Sequence, residues 1–139
     1  MKLPRKPSAL IKLALNDLSK VERSKKYKVL MSMWHVPTLD DACFVCLAGS
    51  VMAKTLKLDS AKEIDKDNFS DSFSESITNK LLAINDMREG NMMTAFTRLR
   101  YSRNRGDKFT RNITDYRVDK VLFKKQMRTL ARDLEKAGY

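Results

Sequence analysis

Between Ala42 and Ala53 almost every residue is apolar or small. A segment of that kind cannot lie on a surface, so the rest of the chain must be arranged to cover it. Just before it, Thr38-Leu39-Asp40-Asp41 supplies a hydroxyl and two carboxylates, the acceptors and negative charge that a helix start needs. The expectation is a helix from Thr38 to Ala53, buried on most sides and central to the fold. One stripe of it, Ala42, Cys46, Gly49 and Ala53, holds only small side chains. Such a stripe predicts close approach of a second helix, a packing use that offsets the entropy cost of Gly49.

The segments around this run have helical spacing. Ser8 reads as an N-cap, and Leu10, Ile11, Ala14, Leu15, Leu18 and Val21 predict a helix over about residues 9–23. Tyr27 to Val36 alternates poorly and reads as a short strand or an extended connector closed by Pro37. Asp59 to Ser76, rich in acids and serines, reads as loop anchored by Phe69 and Phe73. Ile77, Leu81, Ile84 and Met87 mark a helix over about 75–89, with Gly90-Asn91 as its stop and the next N-cap. Met92, Phe96 and Leu99 mark a short fourth helix. A long last helix is predicted from Thr114 or Asp115 to Ala137, with Phe123, Met127, Leu130, Leu134 and Ala137 as an apolar seam for docking or for a homodimer.

The 139 residues suit one domain, and four glycines with three prolines argue against a turn-rich β-sandwich. The sequence therefore predicts a mainly α, compact single domain of about five helices with a buried central helix and one short strand or connector. Residues 1–100 form its helical body, 101–113 a basic linker and 114–137 the long C-terminal helix.

Trp34-His35-Val36-Pro37, followed by Cys43-Phe44-Val45-Cys46-Leu47-Ala48-Gly49-Ser50-Val51-Met52-Ala53, resembles a segment shared by small tailed-bacteriophage proteins without an assigned activity. The similarity extends over about residues 8–100, and the basic segment and last helix lie outside it. The resemblance implies a phage origin, a bacterial host cytoplasm, and an early protein acting on host machinery or on the phage genome. It implies no catalytic residue.

No apolar run approaches the ~20 residues that span a bilayer. The basic start Met1-Lys2-Leu3-Pro4-Arg5-Lys6-Pro7 is not followed by the uninterrupted apolar core of a signal peptide, because Lys12 breaks it. A cytoplasmic protein with no membrane partner is expected. Two cysteines three apart also fit a reducing compartment better than a disulfide framework.

Cys43, Cys46 and His35, with Asp40 or Asp41 as a fourth ligand, are the residue types a zinc site uses. A lesser reading pairs Cys43 and His35 as nucleophile and base. Both readings compete with a plainer one. There is a single CxxC and a single histidine, and Cys46 belongs to the small-residue packing stripe. Buried cysteine usually serves as a small hydrophobe. No phosphate-binding loop, HExxH or GxSxG is present. The sequence is read as having no cofactor and no catalytic site.

The net charge of +11 is unevenly distributed. Residues 1–50 carry nine Lys and Arg against four Asp and Glu, 51–90 six against eight, and 91–139 thirteen against five. That excludes an acidic mimic of DNA and permits a polyanionic partner. Within the last third, Arg98, Arg100, Tyr101, Arg103, Arg105, Lys108, Phe109 and Arg111 enclose one acid, Asp107. Arginine forks match phosphate geometry, and interleaved aromatics can stack on bases. Asn104 and Gly106 suggest a flexible arm that orders on contact. Arg117, Lys120, Lys124, Lys125, Arg128 and Arg132 occupy polar positions of the last helix, of which Lys124 and Arg128 extend the candidate site. Six phosphate contacts would give a slope of roughly −5 in log K against log salt. The sequence thus predicts a non-catalytic phage-type protein that contacts nucleic acid, mainly the phosphate backbone. The rival reading is an inhibitor or takeover or anti-defence factor that docks on a host protein through the long helix and basic surface. The bland reading is a solvated charge run, or one folded back on the acids around Glu63, Asp65, Asp67 and Asp71.

Overall fold

The structure, a computed structural model, describes residues 2–139. Among these residues there are seven helices and three short strands: α1 (Pro7–Glu22), β1 (Tyr27–Val29), β2 (His35–Pro37), β3 (Cys43–Val45), α2 (Leu47–Lys54), α3 (Phe69–Ser72), α4 (Glu75–Arg88), α5 (Met92–Arg98), α6 (Arg103–Asp107) and α7 (Lys120–Lys136). The protein is mainly helical, with one small sheet. Among the described residues no helix is long and apolar enough to cross a membrane. The chain groups into two compact units, residues 13–78 and residues 2–12 with 79–139.

In the first unit the predicted central helix is replaced by a strand and a shorter helix. Asp41 takes a left-handed backbone, φ 58, which ends any helix begun at Thr38. Thr38 instead builds a hairpin tip: its Oγ1 accepts from the amides of Asp40 (3.3 Å) and Ala42 (3.2 Å). Residues 43–45 then form the middle of a sheet ordered β1-β3-β2, parallel to β1 and antiparallel to β2. Cys43 and Val45 point inward and Phe44 is half-buried. A short apolar run cannot by itself distinguish a buried strand from a buried helix, and here Phe44 and Val45 suit the strand. Pro37, which has no amide to donate, sits on the edge strand β2.

Helix α2 starts only after Cys46, whose Sγ accepts from the Gly49 amide at 3.3 Å as an N-cap. Leu47 to Ala53 are all buried. Gly49 does admit a close neighbour, but that neighbour is the backbone of Trp34, not a second helix. A Cβ at 49 would run into the Trp34 carbonyl and stand 3.0 Å from the Val45 Cβ. The supposed loop before α4 contains the single-turn α3. There Phe69 is buried, meeting Trp34 edge-on with centroids 4.8 Å apart.

In the second unit local signals placed most elements. Gly90, at φ 80, ends α4, and the Asn91 side chain accepts from the Thr94 amide to open α5. At the N-terminal end, Pro7 takes the first helical position and Ser8 lies inside α1, where its hydroxyl donates to the Tyr139 carbonyl at 3.1 Å. Ser8 is therefore not the N-cap. Helix α7 begins at Lys120, later than expected. Asp119 caps it by accepting from the Leu122 amide at 3.0 Å, whereas residues 115–119 form a turn around Asp115. Phe123, Met127, Leu130, Ala131 and Leu134 are buried in the body of the protein. The seam expected to serve a homodimer is thus already covered.

Candidate nucleic-acid interface

The two units divide the charge sharply. Residues 13–78 carry 9 Lys and Arg against 10 Asp and Glu, a balance of −1. Residues 2–12 with 79–139 carry 19 against 7, a balance of +12. The whole positive excess lies in the second unit, to which Lys2, Arg5, Lys6 and Lys12 also belong.

Within that unit the basic segment is not a flexible arm. Its residues 103–107 form α6, and the buried Gly106 lets that turn lie against α5. A Cβ at 106 would stand 2.5 Å from the Met92 carbonyl oxygen and 2.9 Å from the Phe96 ring. Tyr101 and Phe109 are half-buried in a cluster of four rings. Their centroids lie 5.5 and 5.9 Å from that of Phe96, and 5.4 and 6.0 Å from that of Tyr139. The sequence offers these rings as stacking platforms for bases; the structure packs each of them, half-buried, against Phe96 and Tyr139, where they hold the segment down. The sequence pattern missed this because the partners, Phe96 and Tyr139, lie outside the run.

The cations divide in the same way. Arg98 Nε donates to Asp86 Oδ2 at 2.6 Å, and Arg111 Nη1 to Asp133 Oδ2 at 3.0 Å. Both are partly buried and occupied. Arg100, Arg103, Arg105 and Lys108 are exposed, and among the described residues no ion pair takes any of them. Arg105 Nη1 donates to the Tyr139 hydroxyl at 3.2 Å, which holds its guanidinium near the C-terminal end of α7. On α7 itself Arg128 is exposed and Lys124 half-buried.

Arg100 has an unusual backbone. Helix α5 ends in a Schellman turn: the Arg100 amide donates to the Thr97 carbonyl at 3.1 Å and the Tyr101 amide to the Phe96 carbonyl at 2.8 Å. The residue between must be left-handed, and Arg100 is, at φ 65. Glycine is the usual occupant there, since a side chain costs on the order of 1 kcal/mol. An arginine held there at that cost is exposed to solvent.

The cysteine and histidine positions offer much less. His35 is fully buried, with Nδ1 2.5 Å from the Lys62 carbonyl oxygen, and burial lowers its pKa. Cys43 Sγ lies 3.6 Å from the same nitrogen, and burial pushes its thiol up to about 11. Cys46 caps α2, and Asp40 and Asp41 are exposed on the hairpin tip. Among the described residues no three His, Cys, Asp or Glu side chains gather as a metal site would require.

Compared with protein-family models, with curated proteins and with solved structures, the chain finds no match.

Proposed function

We propose that the protein is a non-catalytic nucleic-acid-binding protein that holds the phosphate backbone through the exposed cations of its second unit. The observation that carries this reading is the segregation of charge, +12 against −1, with Arg100, Arg103, Arg105 and Lys108 exposed and outside any ion pair among the described residues. Four exposed guanidinium or ammonium donors between residues 100 and 108 suit phosphate, which offers acceptors without sequence information. A phage origin and action in a bacterial cytoplasm belong to the same proposal and rest on the resemblance of residues 34–53. Catalysis at Cys43 has little support, because the thiolate is the nucleophile and this thiol is buried and held protonated at neutral pH. The host-protein reading loses the seam it relied on, since Phe123, Met127, Leu130 and Leu134 are core.

The test is fluorescence anisotropy of a labelled DNA duplex at two salt concentrations, with the parent protein and an Arg100→Ala, Arg103→Ala, Arg105→Ala variant. The variant should bind more weakly, with a salt slope shallower by up to about three units. Its melting temperature should barely move, since exposed charges contribute little to folding. No binding by the parent protein at low salt would end the reading.

A further inference from the structure

Helix α7 turns two chemically different zones to solvent. Its inner face is core, but Val121, Lys125, Arg128 and Arg132 recur on the opposite face at steps of four, three and four, and all are exposed. Lys136 continues the line one turn further. Among the described residues no ion pair takes any of these cations. The helix's own acids are spent elsewhere, Asp133 on Arg111 and Glu135 on Lys12. At its N-terminal end and in the turn before it the character changes: Val118, in that turn, and Val121 are each 77% exposed, and Leu122 is 38% exposed. A surface that only needed phosphate would gain nothing from bare valines at its leading edge.

We propose that α7 enters the major groove of duplex DNA, with Lys125, Arg128 and Arg132 reaching phosphates and Val118 and Val121 meeting thymine methyl groups. This rests on the nucleic-acid reading above and narrows it to one ligand. The major groove of B-DNA, about 12 Å wide, admits a helix, whereas the major groove of A-form RNA is too narrow. A helix docked there contacts base edges mainly with its N-terminal residues, which is where Val121 stands, with Val118 in the turn just before it. The apolar group that this groove offers is the thymine C5 methyl. Long Lys and Arg side chains further along the helix can span to the flanking backbones. Single strands are the poorer fit, because Tyr101 and Phe109 are packed against Phe96 and Tyr139 and not presented for stacking. A second copy pairing symmetrically through this face would set like charges opposite one another.

The experiment uses the full chain and four labelled probes: an A·T-rich duplex of about 20 base pairs, the same duplex with deoxyuridine for thymine, its single strand, and a duplex RNA. Uracil removes the methyl and nothing else. The thymine duplex should bind more tightly than the uracil duplex by about fourfold per methyl buried, and more tightly than the single strand or the RNA. Val118→Ala with Val121→Ala should erase the thymine preference while leaving the salt slope and melting temperature in place. Equal, salt-dependent binding of thymine and uracil duplexes overturns the groove placement and leaves the phosphate reading standing. A thymine preference that survives the double variant overturns the assignment to these valines. No binding to any probe at low salt overturns both readings. Polyglutamate bound as tightly as duplex DNA at equal ionic strength would also overturn the proposal, in favour of an acidic protein partner.

Discussion

The Nε of Arg98 sits 2.6 Å from the Oδ2 of Asp86, so an arginine that the sequence groups with phosphate ligands is held by a carboxylate of its own unit. Burial pushes the Asp86 carboxyl up, and the Arg98 hydrogen bond and charge work against that rise. Arg98→Ala leaves this carboxylate largely desolvated and unpaired, an expected loss of about 1–3 kcal/mol at neutral pH. A group with a raised folded pKa contributes stability that is present below its unfolded value and lost as pH rises through the folded one. Without Arg98 the folded value rises further. The deficit should therefore be largest near neutrality and should narrow as pH falls and Asp86 is protonated. Chemical denaturation at a series of pH values measures it, and a pH-independent deficit would show that the pair is not its cause.

Gly49 gives a second expectation, sharper than the small-residue stripe alone suggests. The obstacle is a carbonyl of the Trp34 backbone, which cannot rotate away as a side chain could. Gly49→Ala should already cost about 2–4 kcal/mol, or a fall in melting temperature of order 10 °C. A variant melting like the parent would mean that Trp34 does not approach α2 in this way.

What was legible in the sequence follows how local each signal is. Gly90 and Asn91 mark the end of α4 and the start of α5 because both motifs act within a few residues of themselves. The strand at Cys43–Val45 was not legible, since its apolar run has no period and the deciding fact, the left-handed Asp41, belongs to the preceding turn. For the candidate site, charge density found Arg100, Arg103, Arg105 and Lys108 but could not separate them from Arg98 and Arg111. The separating partners, Asp86 and Asp133, lie 12 and 22 residues away along the chain. The ring cluster that packs the interleaved aromatics was not legible for the same reason, because Tyr139 is far from Tyr101 in sequence. The exposed Val118 and Val121 became visible only once α7 was seen to begin at Lys120.

Cys46 distinguishes a capping role from a metal-binding one. Its sulfur accepts from the Gly49 amide, so Cys46→Ala should lose about 1 kcal/mol and Cys46→Ser, which keeps an acceptor, less. A chelator should leave the parent's melting curve unchanged. Stoichiometric zinc in the purified protein, lost with Cys46→Ser, would overturn the capping account.

Phe109 tests whether the basic segment is held by its rings. It meets Phe96 and Tyr139 and is half-buried, so Phe109→Ala should destabilise by about 2–3 kcal/mol. Affinity for single-stranded and duplex DNA should then change together, both scaling with the folded fraction. A selective loss of single-strand binding with unchanged stability would restore Phe109 as a stacking platform.

Arg100 offers the most discriminating measurement, because stability and binding should move in opposite directions. Its left-handed backbone at the end of α5 is the position that glycine fits without strain. Arg100→Gly removes that strain and adds back some chain entropy to the unfolded state, for a net gain of about 0.5 kcal/mol. The same change deletes an exposed cation that no ion pair takes among the described residues, so duplex affinity should fall and the salt slope should lose about one unit. Arg100→Lys separates the two effects: it keeps the charge and the strained backbone, and should keep most of the affinity without the gain in stability. If Arg100→Gly is stabilised and binds as tightly as the parent, Arg100 makes no phosphate contact. The phosphate contacts would then have to be sought along Lys125, Arg128 and Arg132. If it is instead destabilised, the arginine side chain supports the turn and its exposure is incidental to binding.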